Sequence, residues 1–199
     1  PLYSSAASDV YKRQVYGITK KPIADQEAKA QMEAYKAVFP KASDFKDVDG
    51  FSEEAASKVI ASYKNTVDGH ESDVISSAVE AVDASGKALG YIFNITTSKG
   101  YGGDIQLTVG IQSDGTVSGY SVLSISETAG LGMKAKEADF KDQFKDKNVE
   151  KFTYTKTGES GDDMIDAISG ATITTNAVTN AVDSALVYFQ NELGGGSNE

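Results

Sequence analysis

The sequence contains no cysteine, which removes thiol redox chemistry, cysteine-ligated iron–sulfur clusters and disulfide bonds from consideration. Any redox role therefore requires a bound cofactor. Histidine is nearly as scarce. His70 is the only one, so a histidine-rich metal site or a histidine-based nucleophilic triad has no further members to build from. It stands in the turn-like run Asp68-Gly69-His70-Glu71 and reads as a solvated loop residue. Basic residues number 19 against 29 acidic ones, for a net charge of −10, and no Lys/Arg stripe of the kind that tracks a phosphate backbone is present. Nucleic acid and anionic lipid are thereby disfavoured as direct partners. No stretch approaches the roughly 20 apolar residues of a membrane-spanning helix, and no signal-peptide pattern opens the chain.

What is present is the composition of a soluble globular domain: 199 residues, 40% apolar and 24% charged. Residues 1–14, from Pro1 to Gln14, lack helical or strand periodicity and resemble a translated sequencing-adapter read-through. The folded domain is accordingly expected over 15–193, with a flexible tail at 194–199.

Pro22, followed by Ala28, Met32, Tyr35 and Val38/Phe39 at helical spacing and by Pro40 as a stop, predicts a helix over 25–38. Ser52 ahead of Glu53 and Glu54 marks the start of a second, short helix. Four β-branched, aromatic-rich runs come next: 74–82, 89–97, 105–111 and 117–125. The short turns between them favour an antiparallel meander. A short amphipathic helix is expected over 137–144, a small strand over 152–154 and a polar loop over 155–163. From about Thr174 onward, Val178, Val182, Leu186, Phe189 and Leu193 recur at helical spacing and mark one buried face of a long helix that ends at Gly194-Gly195-Gly196. The expected fold is α+β, an antiparallel meander packed by helices.

Catalytic constellations are few. The adjacent acids Glu53-Glu54 and Asp162-Asp163 suggest a two-carboxylate hydrolase, but neighbouring residues in loops and helix starts point apart, so they read as solvated charge. The segment Asp166-Ala-Ile-Ser169-Gly170-Ala171-Thr172-Ile-Thr-Thr175 is different, because it lies just before the long helix. A helix N-terminus offers unpaired N–H groups and a partial positive charge, which suit a phosphate. Gly170 removes a side chain where another group could approach, and Ser169 and Ala171 are small. On the residues alone, two readings stay open. Either a threonine hydroxyl is presented beside an anion site, or the segment is an ordinary turn and helix cap.

Asp166, Ser169, Gly170, Ala171 and Thr172 match a flavinylation signature of an acidic residue, two spacers, Ser/Thr, Gly, Ala and Thr. With the loop Gly100-Tyr101-Gly102-Gly103, the strand Ile105–Ile111 and the stretch Glu127-Thr128-Ala129-Gly130-Leu131-Gly132, the chain from about Val15 to Leu193 resembles the FMN-binding domain of the G subunit of the Rnf ferredoxin:NAD oxidoreductase. It also resembles that of the C subunit of the sodium-translocating NADH:quinone reductase, and the compact motif spacing leans toward Rnf. The family usually has Pro where this chain has Ala129.

The resemblance implies an FMN esterified through its phosphate to Thr172, installed by a separate flavin transferase that uses FAD and magnesium. It implies no catalytic residue of the chain's own. It places Glu127, Thr128, Gly130 and Leu131 against the isoalloxazine, with Thr128 as a polar contact, Leu131 packing on the ring and the glycines allowing close approach. It further implies a one-electron carrier of a membrane ion-translocating complex, held on the extracytoplasmic side by a helix upstream of Val15, with other membrane subunits as partners. The rival readings are a non-redox FMN-binding or regulatory module and a cofactor-free secreted interaction domain.

Overall fold

The structure, a computed structural model, describes residues 23–63 and 72–194. The chain divides into two compact units, 1–33 and 34–199. His70, the segment 1–14 and the glycines beyond Gly194 lie outside the described residues. Residues 23–38 (α1) are helical and stop two positions before Pro40, whose predecessor is biased away from helix.

The second unit is built on a five-stranded sheet in which β1 (Asp44–Asp47), β2 (Val74–Val82), β3 (Ala88–Thr97), β4 (Ile105–Gln112) and β5 (Val117–Ser124) lie in chain order. Every pairing is antiparallel. The meander expected from the short turns is what forms. Strand β1 adds an edge that the sequence did not announce, because Asp44-Phe45-Lys46-Asp47 is charged at three of four positions; charge is common on an edge strand, where it discourages pairing with other chains. Helix α2 (Glu53–Ser62) starts where expected, with the Ser52 hydroxyl accepting from Ala55 N at 3.3 Å.

Alternation along the strands splits the core in two. Ile105, Leu107, Val109 and Ile111 of β4 and Phe93 and Ile95 of β3 face the main core with α2 and the C-terminal helix. Ile92 and Val79 face the other way, against Tyr35, Val38 and Phe39. On that second face Asn94 is buried and hydrogen-bonded at both ends of its amide: its Nδ2 donates to Tyr35 Oη at 2.7 Å and Ser77 Oγ at 2.8 Å, and its Oδ1 accepts from Thr108 Oγ1 at 2.8 Å.

The stretch expected as a helix over 137–144 is realised as one short helix α3 (Ala138–Lys141) followed by a 3-10 turn (Asp142–Phe144), and another 3-10 turn (Gly132–Lys136) precedes it. What survives of the amphipathic pattern is the burial of Phe140 and Phe144. Strand β6 (Thr153–Thr155) pairs in parallel with β7 (Met164–Asp166), a partner too short to show periodicity. The long helix α4 (Thr172–Tyr188) lies under the sheet and is buried on nearly every side. Its apolar stripe had suggested one buried face. The opposite side is polar yet also covered, and two of its groups find partners there: Asp183 Oδ1 accepts from Phe152 N at 2.7 Å, and the Ser184 hydroxyl donates to Asp73 Oδ2 at 2.9 Å.

Tyr120 ties β5 to the loop before α3 by donating its hydroxyl to Ala135 O. Burial, with the charge of Asp142 adding, holds that hydroxyl well above its ordinary pKa. In the unfolded chain it titrates near its ordinary value of about 10. Above that pH the unfolded state binds fewer protons than the folded one, so stability falls as pH rises past about 10. Urea melts at successive pH values will show this alkaline loss, and it will diminish in Tyr120→Phe.

Candidate functional site

Helix α4 begins at Thr172, and the residue in the cap position is Ala171, which has no group to offer; no side chain caps the first turn. The first backbone bond of the helix runs from Thr175 N to Ala171 O at 3.0 Å. The N–H groups of Thr172, Ile173 and Thr174, which precede that bond, therefore suit an anion from outside the helix. Thr172 is not the cap of its own helix.

The threonines of this segment have separate tasks. Thr175 is fully buried, and its hydroxyl accepts from Ile168 N and donates to Ala171 O, both at 3.0 Å, stapling the incoming loop to the helix. Thr174 is buried in the site wall. Thr172 is half-buried, and its hydroxyl makes no hydrogen bond among the described residues. Thr175→Val keeps the shape but leaves Ile168 N–H buried without a partner, at an expected cost of about 1–3 kcal/mol. Urea unfolding of the variant measures it.

Thr172 lines a cleft of about 540 Å³. One wall is Gly170 to Thr174; the other is Tyr101 with Glu127, Thr128, Leu131 and Gly132. Tyr101 is 70% exposed, Leu131 41% and Ile173 53%, and all three border this cleft. The other exposed large hydrophobics among the described residues, Ile23 and Met32, belong to the first unit. Apolar side chains left in water around one concavity mark a binding site rather than a folding need.

The two motif loops are pressed together by glycine. At Gly132 a Cβ would lie 2.6 Å from Thr174 Oγ1 and 2.8 Å from Glu127 Cβ, so no larger residue fits. Gly170 has φ +75°, a left-handed conformation that closes the turn into α4, and a Cβ there would stand 3.1 Å from Leu131 Cδ2. Glu127 fastens the third loop: its Oε1 accepts from Gly102 N at 3.3 Å, which fixes the backbone on which Tyr101 stands. The residues fit a flavin mononucleotide: apolar surface for a ring, free N–H groups for a phosphate, and a hydroxyl beside them.

Of the residues singled out from sequence, Thr172, Gly170, Ala171, Glu127, Thr128 and Leu131 meet at this cleft. Gly130 instead makes the turn that carries Leu131, with φ +73°. Asp166 and Ser169 line a neighbouring groove. Tyr101, Ile173 and Thr174 had no assigned role. For Tyr101 the available signal was an aromatic set among glycines; for the other two, whose exposure or burial follows from how α4 docks, there was none. No group of three or more His, Cys, Asp or Glu side chains among the described residues could hold a metal ion.

The model of the FMN-binding domain family matches residues 100–187, a span holding both motif loops. The G subunit of an ion-translocating oxidoreductase complex from Methanosarcina acetivorans is 36% identical over 170 residues, covering 84% of this chain and 79% of that protein. The G subunit of the Na(+)-translocating ferredoxin:NAD(+) oxidoreductase complex from Acetobacterium woodii is 31% identical over 176 residues, covering 87% and 81%. The crystal structure of NqrC from Shewanella oneidensis superposes with a TM-score of 0.51 at 21% identity, over 78% of this chain and 84% of that one, and shows a shared fold. On these relations and the two loops that meet at the cleft, the chain belongs to the family of G subunits of ion-translocating oxidoreductase complexes and carries its FMN-binding domain.

Proposed function

We propose that this chain is an electron-carrying subunit whose FMN is bound covalently, by a phosphoester to Thr172 Oγ1. The observation that carries the reading is the coincidence in one cleft of three exposed apolar side chains, an uncapped helix start and a threonine hydroxyl with no structural task. Tyr101, Leu131 and Ile173 would pack against the ring, Thr128 and Glu127 would supply polar contacts at its edge, and the N–H groups of the first turn of α4 would face the phosphate. Gly170, Ala171 and Gly132 keep the approach open, and Asp166 and Ser169 complete the signature. Bound FMN supplies the redox chemistry, for which the chain has no cysteine of its own. The side chains hold and orient it.

Attachment balances as a phosphoryl transfer from FAD. Thr172 Oγ1 bonds to the flavin-side phosphorus of the diphosphate, the bond from that phosphorus to the bridging oxygen breaks, AMP leaves, and the hydroxyl proton passes to a base of the transferase. A tether of this kind suits a carrier outside the cytoplasm, where a lost cofactor is not recovered. We place the domain on the extracytoplasmic face of the membrane beside the other subunits, with an anchoring helix upstream of Val15; no helix among the described residues is itself long and apolar enough to cross a membrane.

The test is co-production with a flavin transferase, followed by intact mass and redox titration. One FMN per chain and reversible reduction are expected. No adduct on the wild type would end the covalent reading, and a flavin that could not be reduced reversibly would end the carrier reading.

A further inference from the structure

The two edges of the five-stranded sheet are built differently. Strand β1 is charged at three of its four positions, as edges that resist pairing with other chains commonly are. Strand β5, at the other end of the sheet, reads Val-Ser-Gly-Tyr-Ser-Val-Leu-Ser and carries no charge. One bridge, from Val117 to Lys147, covers its first residue; beyond that bridge the outer side of β5 has no backbone partner among the described residues. Bulges at Ser118 and Leu123 bracket a regular run, Gly119 to Val122, that pairs residue for residue with β4.

A trough of about 440 Å³ lies along this strand, lined by Ser121 to Ile125 together with Met133, Lys136 and Lys141. Side chains alternate between the two faces of a strand, so a trough touched by every residue from Ser121 to Ile125 follows the backbone edge rather than one face. Val122 and Ile125 lean inward on the main core, whereas Leu123 packs with neither core cluster.

The charges are equally one-sided. Lys136, at the end of a 3-10 turn, and Lys141, at the end of α3, are the charged residues that line the trough. Neither ammonium has a hydrogen bond or ion pair among the described residues. Glu137 and Asp139, their neighbours in sequence, line the separate groove beside Asp166 instead. On a chain of net charge −10, two unpaired lysines along an uncharged strand edge form a local basic site.

We propose that the outer edge of β5 is the docking site for an extended acidic segment of a partner protein, which joins the sheet as a sixth strand. Main-chain hydrogen bonds hold such a segment, and flanking side chains select it. Here Lys136 and Lys141 meet its carboxylates and Leu123 gives it an apolar contact. A second copy of this chain does not suit the edge: β5 has no carboxylate to offer, and symmetric edge-to-edge pairing would bring the two basic sites together. The inference goes beyond the flavin reading and does not rest on it.

The experiment uses the full chain and a fluorescent octapeptide of alternating valine and glutamate, with Kd from anisotropy and the contact mapped by amide hydrogen exchange. Binding is expected to slow exchange within Gly119 to Ser124 and not within Asp44 to Asp47, and Kd should rise steadily with salt. The double variant Lys136→Glu/Lys141→Glu is expected to raise Kd about tenfold or more, because each reversal replaces attraction by repulsion. Lys46→Glu, the same change on exposed β1, should leave Kd within about twofold, being on the opposite edge. The same peptide N-methylated at two adjacent central amides, which blocks both of its edges but keeps its charge, should not bind. Absence of binding, equal binding of the methylated peptide, a Kd indifferent to salt, or equal effects of the two lysine changes would overturn the proposal. So would a concentration-dependent dimer whose exchange protection falls on β5, since the occupant would then be a second copy. The methylated peptide and the salt series need only the wild-type chain, so the test stands even if a variant misfolds. None of these outcomes bears on Thr172.

Discussion

Thr172→Ala is expected to abolish the FMN adduct completely while leaving the domain as stable as wild type. The two halves of that result come from different properties of one residue. The hydroxyl makes no hydrogen bond among the described residues, and the residue occupies the first helical position rather than the cap. Its removal therefore forfeits no capping bond. Alanine has the higher helix propensity, and a substitution without such a structural role changes stability by no more than about 0.5 kcal/mol. Melting curves of apo wild type and variant should superimpose closely. Thr174→Ala is the companion measurement: Thr174 is buried in the cleft wall, so this variant should still be loaded at Thr172. An adduct on Thr172→Ala, mapped by peptide mass to Thr174 or Thr175, would refute the assignment. A large loss of stability would restore a structural role for the hydroxyl.

Phe144→Ala should do the reverse, destabilising the domain severely without touching the attachment chemistry. Phe144 is fully buried and packs edge-on with three rings, with centroids at 5.4 Å to Tyr120, 5.6 Å to Phe140 and 5.0 Å to Phe152. Truncating such a ring leaves a cavity that rigid neighbours cannot fill, at about 3–5 kcal/mol. That is a large share of the roughly 5–15 kcal/mol that holds a typical domain together. For a chain of this size the corresponding drop in melting temperature is about 6–20 °C. Chemical unfolding of the apo proteins, compared at one temperature, gives the difference directly. Below its melting point the variant should still accept FMN, because Phe144 lines neither the cleft nor the groove. A loss under about 1 kcal/mol would mean that the cluster can collapse into the vacated space.

These two residues also mark the limits of what could be read in advance. Phe144 was visible as part of an amphipathic run, but the run became one short helix and a tight turn, since two buried rings four residues apart need only a single turn to face the same way. Strands β2 to β5 were legible almost to the residue because alternation and turn residues act over a few positions. Strands β1 and β7 were not, the first being charged and the second only three residues long, so that pairing rather than propensity makes them strands. Likewise, the apolar stripe of α4 was correct as far as it went. The burial of its polar side depended on Asp73 and on the Phe152 backbone, both distant in sequence.

The site divides in the same manner. The sequence by itself determined the candidate attachment residue, through a resemblance carried by Asp166, Ser169, Gly170, Ala171 and Thr172 and by the stretch from Glu127 to Gly132, and it excluded thiol chemistry by lacking cysteine. It also left open whether Thr172 was merely a cap. Only the tertiary structure decided that Ala171 holds the cap position, that Tyr101 and Ile173 stand with Leu131 around one cleft, and that Asp166 faces a different groove, clamped by Gln143. The reason is physical. A motif constrains the few bonds around its own backbone, whereas which side chains remain in water is set by how α4, the sheet and the loops pack against one another.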